Sequence, residues 1–230
     1  MTIPIHTTKL AEGGNHQLLQ LMTLLSPVFP IGSFSYSHGL EQVVHEGFVT
    51  SRADMERWLH ALLKAGSAWN DTVFLAVAWQ EVKNGNNIVE LAQLACAMAG
   101  SREREMETCM QGQAFLLATA EYGIAVPLTY QRLAYPVAVG IVAAGMGLEL
   151  AAVAAAYLHA FISNLVQAAL RLVPLGQKDG VKLMHAVEND ILALSRQTPN
   201  LALTDLGSSA LMSDICAMRH ETLYSRIFRS

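Results

Sequence analysis

Two histidines and a carboxylate open the search for chemistry. His38, Glu41 and His45 are spaced by three and four residues, so on a helix they would share one face and could hold a transition metal. The same spacing also describes a polar helix face with two surface histidines. Ser35 and Ser37 stand beside His38 as a nucleophile stands beside its base, but neighbours at the start of a helix do not aim at one reacting atom. Gly140 and Gly145 have the gap of a phosphate loop, yet Met146-Gly147 stands where Lys-Ser/Thr is required. His220 and Glu221 lie close to Cys216, and as helix neighbours they diverge. His159 reads as a hydrogen-bonded core histidine. Cys96, Cys109 and Cys216 are far apart in sequence and read as reduced core thiols. These residues predict no catalytic site, no metal site and no cofactor, with His38, Glu41 and His45 as the alternative of a direct metal-binding role.

The elements that must position these groups are helices. Ser26–Glu41 is the exception, a Pro/Gly-kinked stretch in which Pro27, Pro30 and Gly32 break the chain before a run of hydroxyls and His38. Asn15 is placed to cap a first helix with Leu18, Leu21, Met22 and Leu25 on one stripe. A second helix is predicted over 35–46 and ends at Gly47. Ser51 and Asp54 form a capping-box pattern before Met55, Trp58, Leu59, Leu62 and Leu63. Further helices are expected over 69–83, from Asn87 to Met98, and from Arg102 to Ala120, the last opening on a run of solvated charges. Residues 121–136 read as a loop. Residues 135–146 and 148–172 are the two most apolar segments and are expected to form the centre of the bundle. Pro174-Leu175-Gly176-Gln177-Lys178-Asp179-Gly180 breaks the chain, a helix follows, and a last one is expected over 209–218. No alternating strand run is present, so the fold class is all-α, a single-domain multi-helix bundle built around two apolar central helices.

Composition narrows the function. Charged residues make up 15% of the 230, against roughly 25% in a typical soluble protein. Mean hydropathy is +0.31. Such a chain either spans a membrane or buries surface against partners. Residues 150–170 lack Asp, Glu, Lys and Arg, but contain His159, Ser163, Asn164 and Gln167 and are flanked closely by Glu149 and Arg171 with no basic loop to set orientation, so they read as a buried helix. The first residues lack a signal-peptide layout, which predicts a cytoplasmic protein without membrane association. Net charge is −4 with no basic run, so nucleic acid is not an expected partner. The final stretch, from Arg219 to Ser230, mixes Tyr224, Ile227 and Phe228 with Arg219, Arg226 and Arg229, residue types enriched at binding hot spots. A tail docked on its own bundle is the other reading of that composition.

Three motifs together resemble the UreF family of urease accessory proteins. The first is Ser26-Pro27 through Pro30-Ile31-Gly32-Ser33-Phe34 to Ser37-His38-Gly39-Leu40-Glu41. The second runs from Asn164-Leu165-Val166 through Arg171-Leu172-Val173-Pro174-Leu175-Gly176-Gln177 to Asp179-Gly180. The third is Arg219-His220-Glu221-Thr222-Leu223-Tyr224-Ser225-Arg226-Ile227-Phe228-Arg229-Ser230. The resemblance implies an all-α protein over 15–230 that forms a homodimer and has no catalytic activity of its own. It implies assembly with UreD (UreH in some species) and the GTPase UreG, and through them with the urease apoenzyme, to insert nickel and modulate GTP hydrolysis. By the same resemblance, Tyr36, His38, His220, Tyr224, Arg226 and Arg229 would meet UreD/UreH. Glu41, Gln177, Lys178 and Asp179 would meet UreG. Pro27, Pro30, Gly32, Pro174, Gly176 and Gly180 would shape turns. Residues 1–14 are expected to be disordered, and the Ala/Gly-rich helices and the Trp58 and Trp69 region are the candidate dimer faces.

Overall fold

A computed structural model describes residues 10–124 and 132–230, so residues 1–9 of the expected disordered segment and the middle of the expected 121–136 loop lie outside the described residues. Among the described residues ten α-helices follow one another: α1 (Leu10–Leu24), α2 (Leu40–His45), α3 (Arg52–Ala65), α4 (Ser67–Lys83), α5 (Val89–Ala97), α6 (Arg102–Glu121), α7 (Tyr135–Gly145), α8 (Leu150–Leu172), α9 (Gln177–Gln197) and α10 (Leu211–His220). No strand occurs among the described residues.

Helix starts follow local chemistry. The Ser51 hydroxyl accepts from the Asp54 amide at 3.3 Å while the Asp54 carboxylate accepts from the Ser51 amide at 3.0 Å, closing the capping box that starts α3. Ser101 accepts from the Arg104 amide at 3.1 Å at the head of α6. Glu149 accepts from the amides of Ala151 and Ala152 at 2.9 and 2.7 Å and starts α8. Helix α1 begins before the expected cap at Asn15, running through Gly13 and Gly14.

The core divides into two clusters. One gathers α4, α5, α6, α7 and the first turns of α8, with Leu21 and Leu24 of α1 laid against it. The other gathers α2, α3, α9 and the rest of α8, with Cys216 of α10 and Phe228. Helix α8 runs through both, contributing Leu150, Val153 and Tyr157 to the first and Leu158, Ile162 and Leu165 to the second. Among the described residues it is the one helix long and apolar enough to cross a membrane, and half of its most apolar window is buried by its neighbours. Every residue of α7 from Tyr135 to Ala144 is buried within the chain, which removes this Ala/Gly-rich helix as a dimer face. Gly140 has a packing role: a Cβ there would lie 2.5 Å from the Leu75 carbonyl of α4. Trp69 also faces inward, touching both clusters and donating its indole N–H to Asp205 at 2.8 Å.

Candidate functional site

Pro27 and Pro30 end the α1 trajectory in turns, and Gly32 (φ 72°) leads into a 3-10 turn over Ser33–Ser35. The chain then extends at Tyr36 and passes through two left-handed residues, His38 (φ 53°) and Gly39 (φ 76°), before α2 begins. The predicted helix over 35–46 is therefore only its second half. Gly39 is there for contact as well as conformation: a Cβ would come within 2.8 Å of the Ala217 Cα, so α10 crosses directly over the start of α2.

That crossing delivers the tail. After α10 ends at His220, the chain turns back and lies against the Pro/Gly-kinked segment. Arg229 donates its amide to the Ser35 carbonyl at 2.8 Å, and the Ser37 amide donates to the Ser230 carbonyl at 2.8 Å. Glu41 accepts the adjacent amides of Ile227 and Phe228 at 2.7 and 2.9 Å, one on each carboxylate oxygen. Glu103 accepts from the Arg226 guanidinium, and Glu107 accepts the Ser230 hydroxyl at 2.8 Å. His220 is fully buried, with Nδ1 2.6 Å from Glu103 and Nε2 3.3 Å from Glu41. The Phe228 ring is 3% exposed, with the Arg171 guanidinium 4.4 Å above it. Arg171 also donates to the Phe34 carbonyl at 3.1 Å.

Behind the tail lies a buried polar network. Arg104 reaches Asp71 at 2.8 Å and Glu107 at 3.3 Å, Tyr157 donates to Asp71 at 2.8 Å, and His38 Nε2 sits 3.1 Å from Glu107. One guanidinium thus serves two carboxylates. Burial pushes the Asp71 and Glu107 carboxyls up, and the Arg104 charge pulls each back. Burial lowers the His38 imidazole well below its usual value, and the neighbouring Arg104 charge lowers it further. A cleft of ≈ 570 Å³ opens beside this network, between the Pro/Gly segment and α8, lined by Phe29, Phe34, Phe161, His159, Asn164 and Arg171 among others.

Several expectations need correction. His38 precedes α2 in a left-handed conformation, Glu41 is spent on the tail and His45 is exposed, so the three do not converge. Among the described residues no group of three or more His, Cys, Asp or Glu is gathered to hold a metal ion. Tyr36 and His220 are buried and His38 faces Glu107, so these side chains secure the segment and the tail from within. Glu41 lies buried beneath the tail, whereas Gln177 and Lys178 are exposed in the first turn of α9. Asp179 caps that turn, accepting from the Gly176 amide at 3.1 Å. His159 is exposed rather than in the core. The opening charges of α6 are not all solvated: Arg104 is buried and Glu103 is engaged by the tail. Sequence reasoning missed Asp71, Glu103, Arg104 and Glu107. Their one signal was charged residues within helices that also carry core-facing positions. What the tail presents outward is Tyr224, fully exposed, together with Ile227 and Arg229.

Comparison with known proteins gives a consistent result. A family model described as UreF matches residues 49–188. The chain is 48% identical over 217 residues to "Urease accessory protein UreF 1" of Brucella suis biovar 1 (strain 1330), covering 93% of this chain and 94% of that one. It is 46% identical over 214 residues to "Urease accessory protein UreF" of Mesorhizobium japonicum, covering 93% and 96%.

Proposed function

On the premise that the chain belongs to the UreF family of urease accessory proteins, we propose that it is a non-enzymatic scaffold that joins UreD/UreH and the GTPase UreG and so serves insertion of nickel, the cargo, into the urease active site. One observation carries the docking part of this reading. The tail is held from below by Glu41, Phe228 and Ser230, and this leaves Tyr224, Ile227 and Arg229 outward, with Phe34 also exposed on the segment the tail pairs with. An ordered aromatic and apolar surface needs little further ordering when a partner covers it, which lowers the entropic cost of binding. Tyr224, Ile227 and Arg229 are the contact residues for UreD/UreH in this reading. Tyr36, His38, His220 and Arg226 act by holding the tail in place.

Gln177 and Lys178 form the UreG contact, on a helix start fixed by the Asp179 cap and the turn through Pro174 and Gly176. Gly180 lets this turn sit close to α8, because a Cβ there would lie 3.2 Å from Leu170. Self-association into a homodimer uses apolar surface that the fold leaves uncovered, of which Leu211, Ile215 and Met218 along α10 form one stripe. Tyr224→Ala combined with Ile227→Asp tests the tail assignment. The variant should keep the parent's thermal midpoint, since both side chains are exposed, and lose co-purification with UreD/UreH. Intact co-purification would refute the assignment. Lys178→Glu should weaken UreG retention while leaving UreD/UreH bound.

A further inference from the structure

Away from the tail, α5 and α6 bring together two cysteines that the scaffold role does not use. Cys96, half-buried near the end of α5, and Cys109, 8% exposed within α6, place their sulfurs 3.1 Å apart, and both are free thiols. Their 13-residue separation is turned back on itself by the break after α5, where Gly100 adopts φ 79°. We propose that Cys96 and Cys109 are an oxidant-sensitive pair that closes into an intrachain disulfide on reaction with hydrogen peroxide or another small hydroperoxide.

The surroundings divide the two sulfurs by role. The Cys96 thiol hydrogen bond first, and the Arg132 guanidinium beside it, lower the Cys109 thiol, whereas that same hydrogen bond and burial push Cys96 upward. Arg132 is fixed nearby by its 2.8 Å ion pair with Glu105. Cys109 is therefore the attacking thiolate. It breaks the peroxide O–O bond, takes one oxygen as a sulfenic acid and releases hydroxide, which becomes water with the Cys109 proton. The Cys96 sulfur then attacks the Cys109 sulfur, the S–O bond breaks, and the departing hydroxide leaves as water with the Cys96 proton. Two thiols supply the two electrons that reduce one peroxide to two waters. Closing the bond requires the sulfurs to approach by about 1 Å from their present separation. Cys216 provides an internal contrast: it is fully buried within α10, which packs on α2, and burial pushes its thiol up to about 11.

The test is to treat the folded chain with hydrogen peroxide, then unfold it, alkylate the remaining thiols and map the peptides by mass. The expected result is a Cys96–Cys109 crosslink with a loss of about 2 Da, while Cys216 remains alkylatable. C96S should stall at a Cys109 sulfenic acid that a dione probe traps, and C109S should leave Cys96 reduced under the same exposure. Retention of all three thiols in the parent, crosslinks only between chains, or oxidation of Cys96 in C109S at the parental rate would overturn the proposal. The parent's peptide map decides the matter even if a serine variant folds poorly.

Discussion

Glu41 sits where the three parts of the site meet. Each of its oxygens takes one tail amide, and His220 closes on it from α10. A carboxylate suits this position because both of its oxygens accept. Glu41→Gln keeps the shape but offers an NH2 to one of two amides, leaving a buried donor unpaired at a cost of about 1–3 kcal/mol. Amide exchange at Ile227 and Phe228 should therefore accelerate by roughly ten- to a hundredfold, with exchange in α3 and α8 unchanged. Unchanged exchange at the tail would contradict the anchoring role. His38 makes a second prediction. Its pKa is depressed in the folded chain, by burial first and by Arg104 second, so the stability it confers is present above the unfolded value of 6.5 and is lost as pH falls below it. Asp71 and Glu107 are shifted upward by burial and act with the opposite sign: their contribution is held below the ordinary carboxylate range and lost as pH rises through their folded values. The informative quantity is thus the difference between His38→Gln and the parent in thermal midpoint at pH 7.5 and 5.5. The variant should lose less on acidification, and equal losses would contradict the assignment.

At the scale of elements, the crossing of α10 over α2 depends on a single missing side chain. Gly39→Ala meets both a left-handed backbone and the Ala217 Cα at 2.8 Å. The backbone penalty alone is about 1–2 kcal/mol, and the contact adds to it. For a chain of this size the thermal midpoint should fall by roughly 5–10 °C, with the tail loosening because α10 carries it. A midpoint within a degree of the parent would show that the crossing can adjust. Elements whose signals are local were readable from the sequence. The Ser51/Asp54 box gives α3 its start, and the stripe Met55, Leu59, Leu62, Leu63 gives it its buried face. The turns at Gly85 and Pro174 are likewise written in residue type. What was not readable depends on distant partners. Periodicity extended α2 back to Ser35, but the tail captures Ser35 and Ser37 and turns the chain aside at His38. The charges opening α6 look solvated along the sequence, yet Asp71 draws Arg104 inward and His220 draws Glu103. Cys96 and Cys109 looked unrelated until α5 folded back on α6.

For the whole molecule, low charge content has two structural outlets. Much of it is spent internally: α7 is covered on every side, and α8 passes through both core clusters. The remainder stays on the surface as Tyr224, Ile227, Phe34 and the α10 stripe, a distribution that suits a protein that works inside an assembly. Size-exclusion chromatography with light scattering tests this central claim most directly, run on the chain alone and then mixed with its cognate UreD/UreH and UreG. The account predicts a stable stoichiometric complex that retains UreG only when this chain is present. A chain that elutes unchanged beside both folded partners would contradict the scaffold role.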